Sequence, residues 1–76
     1  MTVEIITPDK KLFDGPAISV HLPGEGGSFE ILNNHAPIIS SLKKGKIKIV
    51  TNTNTELFEI ESGVVEMSNN KVIILA

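Results

Sequence analysis

The stretch Lys46-Ile47-Lys48-Ile49-Val50-Thr51-Asn52-Thr53-Asn54-Thr55-Glu56-Leu57-Phe58-Glu59-Ile60-Glu61 decides the fold class. Apolar and charged residues alternate on both flanks of an Asn/Thr-rich centre, the pattern of two half-buried strands and a turn. With Asn52–Thr55 as the loop, Lys48 faces Glu59 and Lys46 faces Glu61 on one side of the hairpin. Ile49 then meets Phe58, and Ile47 meets Ile60, on the other. Such cross-strand pairs contribute roughly 0.2–1 kcal/mol each. A slip of one residue would turn every apolar side chain to water, so the pattern specifies which face is buried.

A second hairpin follows after Ser62-Gly63. Its turn is Asn69-Asn70, because Asn tolerates the positive φ of a tight two-residue turn. Met67 then pairs with Val72 and Val65 with Ile74, while Val64, Ile73 and Leu75 share the opposite face with one charge, Glu66. Both faces of the last strand are apolar, so it is either central in a sandwich or open to a partner. Upstream, Val3–Thr7, Lys11–Phe13, Ala17–Leu22 and Gly27–Leu32 also read as strands. They are punctuated by Pro8-Asp9, Asp14-Gly15-Pro16 and Pro23-Gly24-Glu25-Gly26-Gly27, the last a flexible loop. With Ile47–Thr51, Leu57–Glu61, Val64–Ser68 and Lys71–Leu75, the chain reads as all-β, a sandwich or barrel. No window carries an amphipathic helical pattern. Alternation breaks at Asn33-Asn34-His35-Ala36-Pro37 and resumes with the apolar pair Ile38-Ile39.

The composition narrows the function. Seventy-six residues form a single domain, residues 1–76, near the lower size limit for an independent core. There is no Cys, hence no disulfide framework and no thiolate metal site. A net charge of −2 argues against a nucleic-acid partner, which needs a basic footprint. Lys43, Lys44, Lys46 and Lys48 read as a solvated strand face and its turn. The longest apolar run, Val72 to Ala76, is far short of the roughly 20 residues of a membrane-spanning helix. Met1-Thr2-Val3-Glu4 has neither the basic nor the apolar region of a secretion signal. A cytoplasmic protein, attached to a membrane only through another protein, is the expectation.

No catalytic constellation is apparent. His35 sits in a loop with Glu30 upstream, but no nucleophile or orienting partner accompanies it. His21 and His35 match no metal-ligand spacing. The Gly-rich segment at residues 23–27 precedes a strand, whereas a phosphate cradle opens a helix. Lys43-Lys44-Gly45 lacks the Met-Lys-Met or Asp-Lys-Ala context of lipoyl and biotinyl carriers. No catalytic residue, metal or cofactor is expected.

A series of motifs resembles one family in order and spacing. Thr7-Pro8 and Leu12-Phe13-Asp14-Gly15 are followed by Val20-His21-Leu22-Pro23-Gly24. Then come Gly27-Ser28-Phe29-Glu30-Ile31, His35-Ala36-Pro37-Ile38-Ile39, Gly45-Lys46-Ile47-Lys48-Ile49, Ser62-Gly63-Val64-Val65-Glu66 and Val72-Ile73-Ile74-Leu75-Ala76. Together they resemble the N-terminal β-sandwich domain of the epsilon subunit of rotary ATP synthases. Ser28 stands where that family usually has Glu, Asn33-Asn34 replaces Pro-Gly, and Lys44 replaces a frequent Pro.

The resemblance implies a flattened β-sandwich of about ten short, mostly antiparallel strands, and a non-catalytic part of the central stalk. It implies an apolar patch that docks on the gamma subunit, at Leu12, Ala36, Ile39, Ile74 and Leu75. It also implies loops facing the c-ring at one end of the domain: Gly24, Glu25, Gly26, Gly27 and Ser28, with Asn33, Asn34, His35 and Pro37. The role would be to couple proton-driven ring rotation to ATP synthesis, peripherally on the cytoplasmic side of the inner membrane. Family members generally continue into a two-helix C-terminal domain that can inhibit hydrolysis. Since the sequence stops at Ala76, neither helix-mediated inhibition nor an ATP site is expected. The alternative is a generic β-sandwich adaptor for another partner, which the identity of that partner would distinguish.

Overall fold

A computed structural model describes all residues, Met1–Ala76, as nine strands and no helix. The strands are β1 (Thr2–Ile6), β2 (Lys11–Pro16), β3 (Ser19–Gly24), β4 (Gly27–Leu32), β5 (Ile38–Leu42), β6 (Gly45–Val50), β7 (Thr55–Ile60), β8 (Gly63–Ser68) and β9 (Lys71–Leu75). Hydrogen bonding runs β2-β1-β9-β8-β5 in one half and β4-β3-β6-β7 in the other. A single pairing of β3 with β5, Gly24 opposite Leu42, joins the halves. The sheet thus folds back on itself into two layers. All pairings are antiparallel except β1 with β9, the first strand with the last.

Alternation fills the space between the layers. Val3 and Ile5 of β1, Val72 and Ile74 of β9, and Val65 and Met67 of β8 point inward from one layer. Val20 and Leu22 of β3, Ile31 of β4, and Ile47 and Ile49 of β6 point inward from the other. The result is one cluster of 14 buried apolar residues. At one open side Phe13 of β2 meets Phe58 of β7 edge to face, with ring centroids 6.0 Å apart. This pair links the outermost strands of the two layers and adds about 0.5–1.5 kcal/mol beyond simple burial.

The turns show why the chain breaks where it does. Asn69 and Asn70 adopt φ of 51° and 58°, closing β8–β9 with Met67 opposite Val72 and Val65 opposite Ile74, as the sequence predicts. The β6–β7 hairpin differs: Lys46 faces Glu59, Ile47 faces Phe58, and Val50 faces Thr55. Its loop is Thr51–Asn54, not Asn52–Thr55. The Thr51 hydroxyl accepts from the amides of Thr53 and Asn54 and donates to the Asn54 carbonyl, which closes the loop one residue earlier. The register therefore moves by two residues, and the inward and outward faces are unchanged.

Two further expectations are corrected. Residues 23–27 are not an open loop. β3 runs on through Pro23-Gly24, and a two-residue turn at Glu25-Gly26 leads directly into β4. Gly24 is required there, because a Cβ would lie 2.6 Å from the Gly27 carbonyl oxygen and 2.7 Å from the Phe29 ring. Gly27 takes φ 134°, which other residues rarely adopt. Ile38–Leu42 forms a strand, β5, that the sequence reading left unassigned.

Candidate functional site

The two outward faces of the sandwich differ sharply. On the β4-β3-β6-β7 layer, cross-strand neighbours Glu30, His21, Lys48 and Leu57 make one row. His21 Nε2 lies 2.9 Å from Glu30 Oε2, and Lys46 stands opposite Glu59. This surface is polar, with Leu32 and Leu57 as scattered exceptions of a kind common on any protein.

The β2-β1-β9-β8-β5 layer is different. On β9, β8 and β5 the residues that alternate with core positions include four large apolar ones. Ile39 of β5 is 73% exposed, Leu75 of β9 55% and Val64 of β8 42%. Val64 is directly opposite Leu75, and Ile39 is opposite Glu66, two residues along from Val64. Direct and diagonal neighbours at these spacings lie within side-chain reach, so the three form one continuous patch. Ile73 extends it across β9, opposite both Glu66 and Glu4.

Charges frame that patch. Glu4 of β1 accepts from Lys71 at 3.1 Å and from Lys11 at 3.3 Å, and Lys11 also reaches Asp14 at 3.1 Å. The hydrogen bonds from Lys71 and then Lys11 hold the Glu4 carboxyl below its ordinary range, against the opposing effect of burial. Hydrogen bonding to Asp14 and then Glu4 raises the Lys11 ammonium. This cluster covers the β2–β1 side of the face and reaches the start of β9 through Lys71; beyond it lie Ile73, Leu75, Val64 and Ile39, with Glu66 among them.

The structure redistributes the residues expected to dock. Ile39 and Leu75 are outward and exposed. Ile74 is fully buried in the core and leaves the patch, since adjacent strand residues face opposite sides. Leu12 is half-buried against the core, beside the irregularity where Ile5–Ile6 passes β2. Ala36 is exposed in the β4–β5 loop. Val64 and Ile73 belong to the face but were not among the expected residues. The β8–β9 register read from the sequence already put both beside Leu75.

The loops expected at one end of the domain do not meet there. Glu25–Ser28 begins β4 and Asn33–Pro37 follows its far end, so the two are separated by the strand, about 17 Å at the usual rise. A surface containing both must run along β4, whose outer edge pairs with no other strand. Gly24 is buried and not part of it, whereas Glu25, Gly26, Gly27, Ser28, Asn33, Asn34, His35 and Pro37 are exposed. The second loop is anchored: the Asn34 amide donates to Asn70 Oδ1 at 2.7 Å, and the His35 amide to the Leu32 carbonyl at 3.2 Å. Asn33 Oδ1 accepts from the Met1 amino group. His35 Nδ1 lies 2.7 Å from the Ala36 carbonyl oxygen. His21 is engaged with Glu30 on the polar face, and no three His, Asp or Glu side chains converge as a metal site.

The family model described as the β-sandwich domain of the ATP synthase delta/epsilon chain matches residues 1–76. The chain belongs to this family. The ATP synthase epsilon chain of Chlorobium limicola is 40% identical over 74 residues, covering 96% of this chain and 84% of that protein. Among solved structures, a chain of the Euglena gracilis mitochondrial ATP synthase OSCP/F1/c-ring assembly superposes with a TM-score of 0.90 at 14% identity. That match covers 97% of this chain and 48% of the other. A chain of the Tetrahymena thermophila mitochondrial ATP synthase central stalk/c-ring gives a TM-score of 0.82 at 24% identity, covering 99% and 61%. These superpositions show that the fold is shared with chains of both assemblies. The family resemblance read from the motifs is correct, as is the mostly antiparallel all-β architecture, with nine strands where about ten were expected.

Proposed function

We propose that this domain is a non-catalytic coupling element of the ATP synthase central stalk. Its β9-β8-β5 face, through Ile39, Val64, Ile73 and Leu75 with Ala36 alongside, docks on the gamma subunit. The exposed loops flanking β4, Glu25–Ser28 and Asn33–Pro37, face the c-ring. Held at both surfaces, the domain clamps shaft to ring so that ring rotation turns the shaft instead of slipping. Its association with the membrane is peripheral, on the cytoplasmic side and through the complex. No helix of the structure is long and apolar enough to cross a membrane.

The observation that carries this reading is the asymmetry of the two outer faces. One is polar, and the other presents Ile39, Val64 and Leu75 to water as a contiguous patch. Contiguous apolar exposure of this kind marks an interaction surface. The similarity to epsilon chains supports the choice of partner. The test is affinity purification of the tagged chain from detergent-solubilised membranes of its own cell. Recovery of the gamma subunit with the c-ring is expected. Recovery of neither, from a chain shown to be folded, would overturn the reading and favour an adaptor for another partner.

A further inference from the structure

Glu66 is the one carboxylate of the apolar face with no cation of its own. Its cross-strand neighbours are Ile39 on β5 and Ile73 on β9, and Val64 precedes it on the same face. The ion pairs of the molecule lie elsewhere: Lys11 and Lys71 are taken by Glu4 and Asp14, and His21 by Glu30. Glu66 stands on the ridge between two shallow depressions. Pro37, Ile38, Ile39 and Met67 line one; Ser68, Asn69, Ile73 and the Glu4-bound Lys71 line the other. In water the carboxylate is hydrated and needs nothing. Beneath a docked partner it would lose that hydration while surrounded by Ile39, Val64 and Ile73, a strongly unfavourable state for an unpaired charge.

We propose that Glu66 sets the register of the docked complex by pairing with a basic side chain of the partner, laid into the depression on the Ile39 side, which holds no cation of its own. This rests on the docking reading given above. Arginine fits best, because its weakly hydrated guanidinium can bind a carboxylate in bidentate fashion while its plane packs on apolar neighbours. The apolar patch alone could slide against an apolar partner. A single buried pair admits one alignment and penalises the others. Rotational coupling requires that property, since torque passes only through an interface with a fixed register.

The experiment compares binding of the purified gamma subunit to the wild-type chain and to Glu66→Gln, Glu66→Lys and Leu75→Glu, by calorimetry and by dissociation rate. Both Glu66 and Leu75 are exposed, and thermal unfolding verifies that each variant is folded. Glu66→Gln is expected to weaken binding at least about thirtyfold, mainly through faster dissociation, because it leaves the partner's cation buried and unpaired. Glu66→Lys should weaken it further by placing like charges together. If Glu66→Gln binds as tightly as wild type while Leu75→Glu does not bind, the charge pairing is refuted and the docking face stands. If Leu75→Glu also binds undiminished, the docking face itself is misplaced and the pairing falls with it.

Discussion

Ile74 and Leu75 are consecutive in the chain and nearly equal in size, yet truncating them should give opposite phenotypes. Ile74 is fully buried, facing Val65 across the β8–β9 ladder and Ile5 across the β1–β9 ladder. Ile74→Ala removes three carbons from the centre of a closed core, and such changes cost about 2–5 kcal/mol. A domain of this size has only about 4–11 kcal/mol of stability to lose. Each kcal/mol moves Tm by roughly 4–8 °C in domains of 60–100 residues, so a drop of more than about 10 °C is expected. Leu75 keeps 55% of its surface in water, and Leu75→Ala should cost no more than about 1 kcal/mol of stability. Docking would bury the exposed half of that side chain, worth about 1 kcal/mol, so Leu75→Ala should raise Kd for the gamma subunit about fivefold. Urea unfolding at one fixed temperature reads the first quantity and calorimetric titration the second. An Ile74→Ala chain within about 0.5 kcal/mol of wild type, or a Leu75→Ala chain losing more than about 2 kcal/mol, would refute the assignment of the two faces.

The Glu4 cluster predicts a specific acid response. The folded carboxyl titrates below its ordinary value of 4.5, so the unfolded chain takes up the proton first as pH falls. The stability it contributes is complete above the unfolded value and is lost as pH drops through the folded one. Glu4→Gln should therefore flatten the acid limb of the stability curve, from about pH 4.5 downward, and an unchanged limb would rule the cluster out as its origin. Gly24→Ala should destabilise the β3–β4 hairpin by about 1–3 kcal/mol, because the new Cβ collides with the Phe29 ring and the Gly27 carbonyl. Gly24→Ala combined with Phe29→Leu, measured by thermal unfolding, should recover part of that loss. No recovery would mean the backbone clash alone decides it.

Local chemistry made some elements legible in the sequence and left others hidden. Asn69-Asn70 carries its turn type in its own residues, and the pairs that follow from it, Met67 with Val72 and Val65 with Ile74, are those observed. At the β6–β7 hairpin the loop holds several interchangeable Asn and Thr residues. Which one closes it depended on the Thr51 hydroxyl, which pattern alone does not rank. The even shift in register preserved the faces, so the core residues Ile47 and Ile49 were still legible. β5 was missed because Pro37 precedes it and Ser40-Ser41 interrupts its apolar character. Period two put Leu75 on the outer face with Val64 and Ile73, and strictly applied it would have excluded Ile74. That residue entered the expected docking set through family resemblance, not through geometry. The side-by-side placement of β1 and β9 had no local signature, since it joins the two ends of the chain.

That last pairing has a consequence for biosynthesis. Thr2 finds Lys71, and Ile6 finds Leu75, only after β2 to β8 have been made. Throughout synthesis β1 and its hairpin with β2 expose Val3 and Ile5, with no layer yet to receive them. The first strand of the sandwich is therefore completed by its ninth, and the sandwich closes in a single late event. Folds dominated by such distant pairings form slowly and expose unpaired edges while they wait. Assembly in the cell can then draw only on finished domains. A chain arrested before β9 offers neither a closed core nor Ile73 and Leu75, so the outer apolar face exists complete only on a closed sandwich.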